Sequence, residues 1–301
     1  MREKIKSFFA VCVLVVTVPY IITLLFQGGE TSIDGISTQG IPGKAAFQAV
    51  GAEGTNVDVE GYLVGIVAKE IPLDYQFEAI KAQVVIARTS LTAALGSGKK
   101  EFPESMSREE IMELWGQDGF EENYRILEKA VEDTRGEILT YEGEPVNAAF
   151  HAVSAGKTRS ATEPYLSSVN SEMDIPSPDF LTVTFMEKKD FLKKLNESCP
   201  NEEIMEENVM DAVSIVQRDE GEYVLQVKIG ETTVTGEDFR KYLDLKSSCF
   251  YIKEVEGKIR IVTKGLGHGL GLSQYGANEL AKEGKNYKEI LNYYYKNIEI
   301  S

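Results

Sequence analysis

Residues 61–95 read GYLVGIVAKEIPLDYQFEAIKAQVVIARTSLTAAL, and this stretch decides how the rest of the chain is to be understood. Tyr62, Leu63, Ile66 and Val67 recur at helical spacing, and Pro72 closes that helix because the residue before a proline is pushed out of the α region. One carboxylate, Glu70, therefore stands at a helix end beside a turn. A second helix from about Asp74 carries Phe77, Ile80, Val84, Ala87, Leu91 and Leu95 on one stripe. Lys81 and Arg88 are seven residues apart, share a face and lie on the border of that stripe. The plainest account of these residues is a solvated helix terminus followed by cations whose stems snorkel along a core edge. The sharper account makes Glu70 a reactive acid and the cations its neighbours in a groove, and the choice between them rests on the remainder of the chain.

The 301 residues are 43% hydrophobic with a formal net charge of −16. The leading heptad MREKIKS carries +2, so the remainder carries −18. No general basic surface is left to neutralise phosphates, which excludes nucleic acid as a partner. Phe8 to Phe26 is an uncharged run of 19 residues, close to the length that crosses a bilayer as a helix. Arg2, Lys4 and Lys6 precede it, so residues 1–7 are expected in the cytoplasm and everything after Phe26 outside. A cleaved signal peptide is the competing reading, but no Ala-x-Ala pattern follows the run, which favours an uncleaved anchor. Residues 27–44 are rich in Gly, Ser and Thr and read as a tether, with the folded domain spanning 45–301. Cys12 falls in the apolar run, and Cys199 and Cys249 permit at most one disulfide.

Ser107 with Glu110 marks a capped helix, and 121–132 suggests another. From Glu137 the period changes to strands, ending in the small-residue turn Ser154-Ala155-Gly156-Lys157-Thr158, where backbone can approach a neighbour closely. Residues 180–207 are charged and lean helical, 213–234 alternate as strands, 235–243 form a short capped helix, and FYIKEVEG and KIRIVTKG are strands. Gly265, Gly267, Gly269 and Gly271 alternate through a strand-like run. Glycine there weakens a strand unless another backbone or a ligand lies close. Ser273 then caps a helix with Gln274 and Tyr275 in its first turn, and Asn286 with Glu289 starts the last one. The fold expected is α+β, mixed strands and helices in one curved catalytic domain behind the anchor.

Two separated stretches, GIVAKEIP…AIKAQVVIARTS (65–90) and GLGHGLGLSQYGA (265–277), joined by HAVSAGKT (151–158) and preceded by the apolar run, resemble the stage II sporulation protein D family. Its members are peptidoglycan lytic transglycosylases of endospore-forming bacteria, with amidase-enhancer relatives that share the domain. The resemblance spans roughly residues 45–301. It implies that Glu70 is the catalytic glutamate and that Lys81 and Arg88 are required basic positions. It also matches Ser273, Gln274 and Tyr275 to the family's terminal motif. Ser154, Gly156 and Thr158 of the turn and His268 of the glycine run join them as substrate-facing candidates. The reaction implied needs a single carboxyl, in contrast to the paired carboxylates of ordinary glycosidases.

Some members hold zinc through a histidine and cysteines around the turn. Here His151 is followed by Lys157 and Thr158 with no cysteine before Cys199, so no metal and no cofactor is expected. The implied partners are peptidoglycan glycan strands, a cell-wall amidase and a membrane scaffold protein of the engulfment machinery. The implied location is the mother-cell membrane, facing the intermembrane space. A non-catalytic wall-binding scaffold that recruits an amidase would use the same groove, and a zinc hydrolase would need His151 and His268 to converge with a carboxylate.

Overall fold

The computed structural model describes residues 48–50, 56–97, 103–199, 202 and 204–301. The expected anchor at 8–26 and the tether at 27–44 lie outside them. Among the described residues no helix is long and apolar enough to cross a membrane. The chain divides into two units, one of Met1–Gln39 with Gln48–Val57 and one of Gly40–Phe47 with Asp58–Ser301. Strands β1 (Gln48–Val50) and β2 (Asn56–Asp58) pair with each other. The second unit carries all the remaining elements and is α+β as expected.

It opens with helix α1 (Val59–Glu70), whose Leu63, Ile66 and Val67 are buried. Pro72 ends it as the sequence predicts. Helix α2 (Phe77–Gly96) begins three residues later than the apolar period suggests. The difference arises because Tyr75 closes a turn on the Pro72 carbonyl and the Gln76 amide is taken by the Asn278 side chain at 2.8 Å. Helix α3 (Arg108–Asp133) carries the expected Ser107–Glu110 capping box. It joins the two helices read from the sequence across a break at Gly116, φ 69°. Trp115 stands at that break with its ring 6.5 Å from Phe120, a packing role.

Strands β3 (Leu139–Tyr141), β4 (Glu144–Pro145) and β5 (Phe150–His151) follow. Next come β6 (Leu181–Glu187), helix α4 (Lys188–Ser198), β7 (Val213–Arg218), β8 (Val224–Ile229), β9 (Thr232–Thr235) and helix α5 (Gly236–Tyr242). The chain closes with β10 (Phe250–Val255), β11 (Lys258–Lys264), β12 (Leu272–Ser273), α6 (Gln274–Lys282), α7 (Tyr287–Tyr294) and β13 (Glu299–Ile300). Sheets form in the orders β13-β3-β4, β10-β11-β6 and β7-β8-β9, and β12 runs parallel to β5. Among the described residues, two apolar clusters bear on the site's surroundings. One gathers Val85, Ile86, Leu139, Leu272, Leu291 and Tyr294 from the first and last thirds of the unit. The other gathers Phe191, Leu195, Val227, Phe239, Phe250 and Ile259 from the segment between.

Two expectations change. The start of 180–207 is a strand and not a helix, because β11 pairs with it over seven positions, from Leu181 opposite Lys264 to Glu187 opposite Lys258. Long-range pairing here overrides local helical preference. The glycine run is not a strand either, since Gly265, Gly267, Gly269 and Gly271 all take positive φ, 79°, 113°, 80° and 67°. A Cβ at Gly271 would overlap the Ala149 carbonyl oxygen, so the close neighbour that requires glycine is the protein's own backbone. Cys199 and Cys249 are both buried free thiols, and the permitted bridge is not formed.

Arg88, expected at the substrate, is 1% exposed, with both terminal nitrogens bonded inside the fold and Nε buried without a partner. Its guanidinium bonds Glu60 Oε2 at 2.8 Å, the Val131 and Glu137 carbonyls at 3.2 Å each, and Thr134 Oγ1 at 3.3 Å. It thereby ties α1, α2 and the end of α3 together. Removing one member of a buried ion pair leaves an uncompensated charge, whereas replacing both by apolar groups is often close to neutral. Arg88→Met should therefore lower the unfolding free energy by about 3–5 kcal/mol. Arg88→Met with Glu60→Met should recover much of that loss in the same denaturant titration followed by circular dichroism.

Candidate active site

Glu70 is the last residue of α1, at the point where Pro72 turns the chain. Its side chain is half-buried, flanked in sequence by the buried Ile71. Gln83, from the second turn of α2, donates from Nε2 to Glu70 Oε2 at 2.8 Å. Gln274, the first residue of α6, donates from Nε2 both to the Glu70 main-chain carbonyl at 2.8 Å and to Gln83 Oε1 at 3.2 Å. One turn further along α6, Asn278 holds the Gln76 amide. The loop that follows the acid is thus braced at both ends by the same helix.

Burial pushes the Glu70 carboxyl up from 4.5 to about 7, while the Gln83 hydrogen bond and then the Lys69 charge pull it back. Lys69 is itself paired with Glu104. Partial desolvation in competition with a single neutral donor leaves a carboxyl that is part protonated near neutral pH, the condition a general acid needs.

The position of α6 depends on a second, fully buried carboxylate. Asp174 accepts from Ser273 Oγ at 2.9 Å through one oxygen, and from the Ser154 amide at 2.9 Å and Ser171 Oγ at 3.0 Å through the other. Ser273 Oγ also accepts from the Gly276 amide as the cap of α6. Burial raises the Asp174 carboxyl, and the Ser154 and Ser273 bonds oppose it. The small-residue turn and the terminal motif are therefore joined by one hub.

The structure brings Glu70 and Gln274 into direct contact and sets Ser273 and Tyr275 beside Gln274 in sequence, with Tyr275 half-buried and its amide on the Ala152 carbonyl at 3.0 Å. Other candidates are used by the fold itself. Ser154 and Ser273 are buried on Asp174, and Ser154 Oγ accepts from the Gly156 amide, which sits at φ 98°. Thr158 is buried and accepts from the Val169 amide at 2.9 Å. Lys81 pairs with Glu78 and lies over the rings of Tyr287 and Phe77, 4.7 and 5.3 Å from their centroids.

His268 Nδ1 accepts from the Leu270 amide at 3.1 Å, and its ring lies 5.9 Å from that of His151. His151 bonds the Leu270 carbonyl through Nδ1 at 3.0 Å. Its Nε2 is buried without a partner. Burial first, then His268, lower His151 to about 3, so it is neutral. Although the two histidines converge, no group of three or more His, Cys, Asp or Glu side chains that could hold a metal occurs among the described residues.

Sequence reasoning missed Gln83, Asn278 and Asp174. For Gln83 a signal exists, since a neutral amide inside the apolar run Ala82–Ala87 needs a buried partner. Asp174 lies in a proline-rich loop with no period to mark it.

Comparison with known proteins places residues 52–141 under the family model described as stage II sporulation protein. The chain is 31% identical to stage II sporulation protein D of Bacillus amyloliquefaciens over its whole length and 96% of the relative's. It is 29% identical to the protein of that name from Bacillus subtilis (strain 168), with the same coverage. It is 27% identical to the amidase enhancer of Bacillus subtilis (strain 168) over 77% of this chain and 39% of that protein.

The raised Glu70 carboxyl has a consequence for stability. Between 4.5 and about 7 the folded chain holds a proton that the unfolded chain releases. Stability therefore falls as pH rises through that window, and the residue contributes no pH dependence below it. Glu70→Gln keeps the acceptor for Gln83 and cannot ionise. It should match the parent near pH 4 and exceed it near pH 8 by about 1–3 kcal/mol, a difference that denaturant unfolding at the two pH values measures directly.

Proposed function

The chain belongs to the stage II sporulation protein D family, and from that premise we propose that it is a peptidoglycan lytic transglycosylase with Glu70 as its acid and base. The observation that carries this reading is a single half-buried carboxyl, pushed up to about 7, braced from α2 and α6 at a helix break. In the reaction Glu70 gives its proton to the oxygen linking N-acetylmuramic acid to N-acetylglucosamine, and the bond from that oxygen to the anomeric carbon breaks. The muramic 6-hydroxyl then bonds to the anomeric carbon, and its proton passes to the Glu70 carboxylate. No water is consumed, the 1,6-anhydro sugar is formed, and the acid is restored. Tyr275 and His268 are the polar side chains of the terminal motif that keep partial exposure and are left to meet the glycan, because Ser273 and Gln274 are buried.

The setting that goes with this chemistry is a membrane anchor at 8–26, residues 1–7 in the cytoplasm, and the catalytic domain outside in the mother-cell membrane. There it acts on septal wall during engulfment alongside an amidase and a membrane scaffold protein. The likeness to an amidase enhancer supports a second reading, a non-catalytic wall-binding scaffold that recruits or activates an amidase.

Mass analysis of muropeptides released from purified wall separates the two. Glu70→Gln should lower release of anhydro-ended products by about 10²- to 10⁴-fold while wall binding stays intact. Release at the parent rate would remove Glu70 as the acid and put the scaffold reading ahead.

A further inference from the structure

The two glutamines beside Glu70 form a relay whose direction the covalent structure dictates. The Glu70 main-chain carbonyl can only accept, so the Gln274 amide must turn its NH₂ toward it. That same nitrogen lies 3.2 Å from Gln83 Oε1, so Gln83 must present its oxygen to Gln274. Its remaining amide nitrogen is then fixed on Glu70 Oε2 at 2.8 Å. Reversing Gln83 would set nitrogen against nitrogen at one end and oxygen against oxygen at the other. Gln83 is 0% exposed and Gln274 5%, so water does not take over either contact.

We propose that Gln83 is a positioning residue that keeps Glu70 Oε2 permanently an acceptor, so that Oε1 alone carries and returns the proton, with Gln274 setting the sense of the relay. The proposal rests on the lytic reading for its use in catalysis but not for its geometry. With Oε2 occupied, the protonated carboxyl has its O–H on Oε1. After the proton leaves, the Gln83 bond becomes charge-assisted and strengthens. One side chain therefore supports the residue in both of its states, which matters where a single carboxyl must act first as acid and then as base.

The test is a pH titration of the full chain in detergent micelles by NMR, reading the Glu70 carboxyl carbon and the Gln83 side-chain amide. In the unmodified protein the Gln83 amide protons should move with the Glu70 carboxyl, at one shared midpoint near 7. In Gln83→Met the Glu70 midpoint should rise by about 1–2 pH units. The high-pH limb of anhydro product release should rise with it, a displacement that a merely structural loss would not produce. Gln274→Met, which frees the Gln83 amide to turn, should shift the midpoint upward by less. A Gln83 amide that ignores the Glu70 titration overturns the proposal, as does a folded Gln83→Met with an unmoved midpoint. Should neither variant fold, the unmodified protein decides through the amide titration alone. An active Glu70→Gln would remove the lytic reading while leaving this coupling in place, so the two failures are distinguishable.

Discussion

The side-chain amide of Gln274, set against the main-chain carbonyl of Glu70, spans 204 residues of sequence. It is the constraint on which the arrangement of the site depends. Because that carbonyl belongs to the last turn of α1, the helix end that carries the acid is positioned by the start of α6 and not by its own neighbours alone. Gln83 completes the triangle from α2, so α2 and α6, which both line the first apolar core, hold the carboxyl-bearing end of α1.

The rest of the second unit serves that triangle at increasing distance. The buried Asp174 carboxylate fixes Ser273, hence the cap and position of α6, and joins it to the small-residue turn through the Ser154 amide. The positive-φ glycines let the chain pass close to Ala149 and Val153 on its way to β12, delivering Leu272 and Ser273 in register with β5 and Gln274 directly after them. Arg88 does for the back of the helical layer what Asp174 does for the front. It satisfies Glu60 and carbonyls at the end of α3 that would otherwise be buried and unpaired. Polar groups with no water to turn to must be paired inside. For that reason many of the residues that looked substrate-facing in the sequence belong to the scaffold.

The family's two motifs can now be assigned separate physical tasks. The first supplies the Glu70 carboxyl and its partial desolvation. In the second, the Ser273 and Gln274 side chains are buried, and Gln274 braces the Glu70 main chain. The segment from β6 to β11 builds a separate core that carries no part of the Glu70 triangle.

Much of this was determined by the sequence alone. Pro72 stops α1 at Glu70, the Ser107–Glu110 and Asn286–Glu289 boxes start their helices, and binary patterns set most strands, because these are local choices of φ/ψ and hydrogen bonding that neighbouring residues decide. The α+β class and the family were likewise legible. What only the tertiary structure decided is who meets whom. Lys81 and Arg88 share a helical face with a core edge, and periodicity does not say whether a partner such as Glu60 or Glu78 waits across it. Leu181–Glu187 became a strand because β11, more than seventy residues on, supplied its ladder. The pairing of Gln83 with Glu70 and the fourfold use of Asp174 and Ser273 exist only once distant segments pack, since a buried hydrogen bond is specified by the meeting of two surfaces and by neither sequence on its own.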